Sequence, residues 1–535
     1  MPILQRFGRR DFESFYAAGH WTRDTLLDAL AAHAAAAPDR LALVDGARRV
    51  SRVELAALVD AAAHRLVREG VRPEDVVAVQ LPNSIHLVVV CLALLRVGAV
   101  YHPLNTSYRQ NDVLNILKTS RPPFYVHTRR FKSYVYEPLL DGVQADGGLS
   151  FRRILVDVDR PAEEAFGTPE ATSELPPADP DALFLLGATS GSTGDPKLFM
   201  HTQNTQFNEA RSLNAAMGLE EEDPFLAFAP ITHRGALMWG LVQAIAAGAP
   251  LILQREYNPD AIVELIEREQ VATFFAIPNQ LVDFLDTCAR NGRRADSLRV
   301  VMLAGAPVQP ELVARVRDQW PNCAPVTGYG TSETGYATVT RPTDPLEVLQ
   351  TSGRPIPGME IAVDRTGTAE GNSGEFVFRG AFVSAGYYAN QPATDLSFNK
   401  EGWFHTGDLG YLDENGNVRV TGRIKNVIIR SGLKIQAEEV EEVLLRHPAI
   451  AHAVIVGMRD PQVGERAVAC LIPRGEKTLS LPEVTSFLDQ EGLGKFKWPE
   501  VVRTFTELPL NANGKFDRIV LRAQINAPAE THAQR

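Results

Sequence analysis

Residues 189–197 read TSGSTGDPK, with two glycines (Gly191 and Gly194), four hydroxyls (Thr189, Ser190, Ser192 and Thr193) and Lys197. Glycine lets successive backbone N–H groups turn toward one anion, hydroxyls donate to its oxygens, and a lysine adds a point charge. Such a stretch suits a polyphosphate. It is not the Walker pattern, in which Gly-Lys is followed by Ser or Thr, because Lys197 lies between Pro196 and Leu198. Taken alone, it reads equally well as a Ser/Gly surface turn. Four segments downstream weigh against that reading: GYGTSETG (328–335), WFHTGDLG (403–410), GRIKNVI (422–428) and LNANGK (510–515).

Chemistry of this kind needs a scaffold, and the sequence supplies an α/β one. Short apolar, β-branched runs at 76–81, 182–187, 250–254, 272–277 and 299–305 read as strands. Amphipathic stretches alternate with them, such as 261–270 with Ile262, Val263, Leu265 and Ile266 on one face. Continuous apolar strands separated by helices predict mostly parallel sheets covered on both faces. The 189–197 stretch follows one such strand directly. Residues 162–181, acidic and Pro-rich, read as a surface linker inside this large unit. Past Gly422 the order changes to strands at 426–430, 451–458, 465–473 and 501–509, with helices between, which predicts a small α+β unit. The expected domains are therefore 1–423 and 424–535.

The composition excludes several classes. The chain has 535 residues, 45% hydrophobic and 22% charged, which is ordinary for a folded soluble protein and long enough for two domains. A net charge of −11 lacks the broad positive field that nucleic-acid binding relies on. Cys91, Cys288, Cys323 and Cys470 lie far apart with no CxxC pair, so neither a disulfide framework nor a zinc site is expected, and a reducing cytoplasm fits. The longest apolar run, 87–95, ends at Arg96, well short of the roughly 20 residues that span a bilayer. The first residues carry no apolar signal core. The reading is a cytoplasmic protein without a membrane or nucleic-acid partner, with a homodimer as a possible assembly.

The five motifs in this order resemble the adenylate-forming superfamily of acyl- and aryl-CoA synthetases, carrier-protein adenylation domains and luciferases. The resemblance runs over about residues 20–525. It implies a large N-terminal domain that binds ATP and an acid, and a C-terminal lid that rotates between two half-reactions. It also implies roles. Residues 189–197 would hold the β- and γ-phosphates. Tyr329 would stack on adenine, Thr331 would donate to the α-phosphate, and Glu333 would hold Mg²⁺, for which a hard carboxylate is suited. Gly305, Ala306 and Pro307 match the turn that contacts adenine. Asp408 would accept from the ribose hydroxyls, and Arg423 would add a second ribose contact. Lys515 would neutralise charge on the α-phosphate and the attacking carboxylate. Lys425 falls at the hinge, and Gly432 would let pantetheine pass.

His233, in PITHRGAL (230–237), takes the slot beside the substrate carboxylate by the same resemblance. Ala276, Gly328 and Tyr336 are further walls of a mainly apolar pocket, which favours a hydrophobic acid. Arg234 reads either as a surface arginine or as a partner for a second anionic group. The segments 17–21, 103–117 and 495–500 look most like ligases for cyclic and aromatic acids. One stretch departs from the family pattern: SGLKIQAEEVE (431–441) has Lys434 where the family has Asn and Ala437 where it has Pro. The acceptor is accordingly open between CoA, a phosphopantetheinyl carrier protein and a non-thiol nucleophile, and the activated group could be an unusual oxyanion. A non-catalytic homologue is the remaining alternative. The joint presence of Lys197, Thr331, Glu333, Asp408, Arg423 and Lys515 argues against it.

Overall fold

Strands buried on both faces have no polar side to alternate with, and the apolar runs form such strands here. The structure, a computed structural model, describes residues 9–167, 175–189, 196–366, 372–431, 433–475, 478–511 and 514–527. The chain divides into two compact units, residues 1–361 with 378–404, and residues 362–377 with 405–535.

Among the described residues, the first unit holds two large sheets. The six-stranded sheet runs Leu198–Thr202, Leu183–Ala188, Val100–Pro103, Val76–Gln80, Phe124–His127 and Arg152–Leu155, with every pair parallel except the first. The nine-stranded sheet has a parallel interior of Leu41–Asp45, Leu251–Leu253, Phe225–Ala227, Thr273–Ala276, Val300–Leu303 and Ala324–Tyr329, with antiparallel strands at both edges. Helix Pro259–Glu269 buries Ile262, Val263, Leu265 and Ile266, the face its periodicity predicts. Ala276 pairs with Leu303, and Leu303 with Thr327, so the loops leaving these three strands start side by side. Open parallel sheets bind ligands at that carboxyl edge.

The stretch read as a linker is not wholly irregular. Residues Ala162–Phe166 form a helix, because Phe166 is buried with its ring 5.8 Å from that of His86. One apolar anchor outweighs the acidic composition around it.

In the second unit, Leu433–Gln436, Val427–Arg430, Gly464–Pro473, Ile450–Asp460 and Val501–Thr504 make a five-stranded sheet. Its two long strands are apolar on both sides. Ala453, Ile455, Ala467, Ala469 and Leu471 pack against helices Ala437–Leu445 and Leu481–Gln490. Val454, Val456, Val468 and Cys470 pack against Leu521 of helix Arg518–Asn526. The sequence reading places the domain boundary at 423/424; as packed, this unit also takes in 362–377 and 405–423. Asp408 and Arg423 are direct cross-strand partners there, and helix Ala437–Leu445 packs on strand Val418–Arg423.

All four cysteines are free and buried. Burial pushes the thiols of Cys288, Cys323 and Cys470 up to about 12 and that of Cys91 higher still. No helix of the described residues is long and apolar enough to cross a membrane.

Candidate active site

Residues 189–197 connect two antiparallel strands. Ala188 pairs with Leu198, and Thr189 N–H donates to the Lys197 carbonyl (2.9 Å). Ser190, Gly191, Ser192, Thr193 and Gly194 lie outside the described residues, as does Gly432. Lys197 is described, and its Nζ lies 4.9 Å from the centre of the Tyr387 ring.

The 328–336 loop leaves the strand Ala324–Tyr329 and folds back on itself. Thr331 Oγ1 accepts from Glu333 N–H (3.2 Å), and Thr334 Oγ1 from Thr331 N–H (2.9 Å). The Thr331 carbonyl accepts from Gly335 N–H (3.0 Å). Two glycines permit the turn. A Cβ on Gly330 would fall 1.6 Å from the Gly335 carbonyl oxygen, while Gly335 has φ +70° and a Cβ there would fall 2.4 Å from Glu209. His201 braces the loop from the neighbouring sheet, its Nε2 2.8 Å from the Ser332 carbonyl. Tyr329 is half-buried, its ring 5.7 Å from that of Phe378.

Glu333 is buried at 7% exposure, and among the described residues no cation pairs with its carboxylate. Its Oε1 accepts from the Tyr387 hydroxyl (2.7 Å). A buried carboxylate without a cation is costly unless a positive ligand completes it, so the donor set fits a hard divalent ion.

The residues expected to line the acid pocket lie in the same unit. His233 caps the short helix Arg234–Ala236, half-buried, and a Cβ on Gly235 would lie 3.6 Å from its ring and 3.3 Å from the Tyr336 hydroxyl. That hydroxyl donates to the Gly235 carbonyl (3.1 Å). A Cβ on Gly328 would meet the Tyr336 ring at 3.2 Å, and Trp239 and Phe275 lie edge-on to that ring at 5.9 and 6.4 Å. Burial raises the Tyr336 phenol far above its usual range, so it stays a neutral donor. Ala276 is fully buried at the end of its strand. Leu237–Val242 form a π-helix directly after this segment, a local irregularity that often marks functional sites. Gly305, with φ +85°, Ala306 and Pro307 form the turn after strand Val300–Leu303.

Arg234 is not a surface residue. It is 5% exposed and donates through Nη1 to Glu209 Oε1 (3.1 Å) and through Nη2 to Glu209 Oε2. Glu209 sits mid-helix in Gln203–Met217 and also accepts from Tyr336 N–H (2.8 Å). The guanidinium is neutralised by this carboxylate, which no motif marked in the sequence.

The second unit gathers Asp408, Arg423 and Lys515. Arg423 donates to both Asp408 oxygens, through Nε to Oδ1 and through Nη2 to Oδ2 at 3.3 Å. Burial lowers the Lys515 ammonium to about 8; Arg423 nearby pushes it the same way, and Asp408 pulls against both. Asn511 shapes the Lys515 loop, its Oδ1 accepting from Lys515 N–H (3.1 Å) and its N–H donating to the Lys515 carbonyl (2.7 Å). The helix that follows is fixed by Arg518, which donates to Glu441 Oε1 (2.6 Å) and Oε2 (2.5 Å) and to the Ile455 carbonyl (2.9 Å). Lys425 is exposed in the 3₁₀ turn Ile424–Asn426, inside this unit.

The protein is a two-unit α/β protein with an antiparallel strand pair at one sheet edge, a buried carboxylate that pairs with no cation among the described residues, and a loop lysine on the small second unit. Residues 30–388 match the family model for AMP-binding enzymes, and residues 439–515 the model for the AMP-binding enzyme C-terminal domain. The chain belongs to the AMP-binding enzyme family, that is, to the adenylate-forming enzymes. It is 31% identical over 533 residues to the salicyl-AMP ligase / salicyl-S-ArCP synthetase of Mycobacterium tuberculosis, covering 96% of this chain and 93% of that one. It is also 31% identical over 538 residues to the 2-hydroxy-7-methoxy-5-methyl-1-naphthoate–CoA ligase of Streptomyces carzinostaticus, covering 97% and 96%. Among solved structures, the o-succinylbenzoate coenzyme A synthetase of Bacillus subtilis in complex with ATP and magnesium ion is similar at a TM-score of 0.80, with 28% identity over 93% of this chain and 99% of that one.

Proposed function

We propose that this protein joins a small cyclic or aromatic carboxylic acid to the α-phosphate of ATP and then passes the acyl group to a thiol, that of CoA. In the first step a carboxylate oxygen attacks the α-phosphorus and the bond to pyrophosphate breaks. In the second a thiolate attacks the acyl carbon and AMP leaves. Two anions must meet in the first step, so the barrier is charge repulsion and positioning. The observation that carries the reading is Glu333, a buried carboxylate that pairs with no cation among the described residues and is tied through Tyr387 to Lys197 of the 189–197 stretch.

The roles follow from residue chemistry. Glu333 would hold Mg²⁺, which supplies charge neutralisation on the phosphates when bound. Thr331 donates to the α-phosphate, and Thr189, Lys197 and the residues between them take the outer phosphates. Tyr329 and the turn Gly305–Ala306–Pro307 face adenine. Asp408, already oriented by Arg423, accepts from the ribose diol. His233 orients the acid's carboxylate against apolar walls that include Ala276, Gly328 and the ring of Tyr336. Lys515 brings positive charge to the α-phosphate, and Lys425 is the hinge of the C-terminal lid, residues 424–535.

Purified protein mixed with ATP, Mg²⁺ and a panel of benzoate, salicylate, naphthoate, cyclohexanecarboxylate and fatty acids is expected to release pyrophosphate, with steady turnover when CoA is present. No pyrophosphate with any acid overturns the reading. A second reading rests on Lys434, which pairs with exposed Ile429 in the hairpin Val427–Arg430 / Leu433–Gln436. This cation stands where the family has Asn, and it would meet a carrier protein or a non-thiol acceptor in place of free CoA. Steady turnover with a phosphopantetheinylated carrier protein but not with CoA selects it.

A further inference from the structure

Residues 384–388 bridge the strand Leu198–Thr202 and the 328–336 loop of the first unit. Ser384 N–H donates to the Glu333 carbonyl (2.6 Å), Ala385 N–H to the Met200 carbonyl (2.8 Å), and Tyr388 N–H to the Leu198 carbonyl (2.8 Å). Between them Tyr387 is 6% exposed and bridges to Phe199, with its own N–H on Thr394 Oγ1 (3.0 Å). Its backbone is therefore fixed on the strand that leaves the phosphate hairpin, while its side chain reaches the 328–336 loop. The hydroxyl donates to Glu333 Oε1 (2.7 Å), and the Lys197 ammonium lies against the same ring. Glu333 Oε2 has no hydrogen bond among the described residues.

We propose that Tyr387 is a positioning residue for nucleotide-bound magnesium: it fixes Glu333 so that Oε2 faces the metal, and it holds Lys197 over its ring so that lysine and metal meet the phosphates together. The proposal rests on the reading that Glu333 is the metal ligand. A carboxylate held at one oxygen has already given up the rotamer freedom that it would otherwise lose on binding the ion. The ammonium–ring contact does the same for a long, flexible lysine. Tyr387 touches neither substrate nor reacting atoms in this scheme; it acts through Glu333 and Lys197.

The test measures binding of α,β-methylene-ATP to the full-length protein by calorimetry across a magnesium series, alongside adenylation kinetics. Tyr387→Phe keeps the ring and the packing and removes only the hydroxyl. It is expected to raise the magnesium concentration for half-maximal nucleotide binding about tenfold, the scale of one hydrogen bond to a charged group. The KM for the acid stays unchanged, and kcat recovers to within about twofold of wild type at saturating magnesium, a split that a merely structural role would not produce. Glu333→Gln reports on the underlying reading and is expected to abolish the magnesium dependence. If Glu333→Gln binds nucleotide with wild-type magnesium dependence, the metal assignment fails. If Glu333→Gln loses that dependence and Tyr387→Phe keeps the wild-type value, or loses kcat without any magnesium effect, the role of Tyr387 is overturned.

Discussion

Arg234 and Glu209 meet with both charges inside the first unit, the arginine side chain 3% exposed and the glutamate 0%. Because Glu209 also accepts from Tyr336 N–H, this pair ties helix Gln203–Met217 to the 230–237 segment and to the loop bearing Glu333. Removing one member of a buried pair strands the other charge and costs about 3–5 kcal/mol, whereas replacing both by apolar groups of similar size is often neutral. Glu209→Gln is therefore expected to lower the melting temperature of the full-length protein sharply. The double change Glu209→Leu with Arg234→Met is expected to recover part of that loss, the remainder being the Tyr336 N–H left without its acceptor. Equal melting of Glu209→Gln and wild type would show that the pair carries no structural weight.

Lys515 is expected to matter for adenylation by about 10²-fold or more, the effect of removing one preorganised charge-stabilising group. Acid-dependent pyrophosphate exchange by Lys515→Ala measures it, and an unchanged rate would make the lysine a bystander.

Its lowered pKa, about 8, gives that role a pH signature. The protonated form is the active one, so kcat/KM for ATP is expected to be level below pH 8 and to fall tenfold per unit above it. Lys515→Arg keeps its charge in this range and is expected to lose the alkaline limb, whatever its absolute rate. A limb that persists in Lys515→Arg assigns the titration to another group.

Gly330→Ala places a methyl group 1.6 Å from the Gly335 carbonyl oxygen, so the 328–336 loop must open. Displacing that loop by about an ångström is expected to cost adenylation on the order of 10²-fold. Parallel adenylation and melting curves check this. A variant with wild-type kcat/KM would mean that the loop tolerates the shift.

Lys425→Pro tests the hinge. Proline fixes φ in the 3₁₀ turn after Arg423, where rotation between half-reactions is proposed. Acyl-AMP formation is expected to persist while thioester formation stops, as followed by single-turnover assays of each product. Equal loss of both steps would place Lys425 in the first half-reaction.

Much of this was legible in the sequence because local pattern and structure agree. The runs at 76–81, 272–277 and 299–305 became strands, and Ile262, Val263, Leu265 and Ile266 face the core as their spacing demanded. Asp408 and Arg423, expected in the large domain, instead share the second unit with Lys515. The misses are long-range partners. Glu209 sits in an ordinary polar helix sequence, and only the fold reveals that Arg234 needs it. Tyr387 lies in a segment without a chemical motif, and its meaning appears only when strand pairing brings its hydroxyl to Glu333. Arg518 reads as a helix-start arginine until Glu441 is seen beneath it. Phe166 was masked by the acidic residues around it. Periodicity reports which face is buried; it does not report which buried charge answers which.

The deep placement of Cys91, Cys288, Cys323 and Cys470 has a practical side. With thiols pushed up to about 12 for three of them and higher for Cys91, all four stay protonated at pH 8. Colorimetric thiol reagents will then test the proposed consumption of CoA against little protein background. A single cysteine introduced on either unit will take a maleimide dye selectively, so the proposed rotation of the lid can be tested by fluorescence without first stripping the native sulfurs.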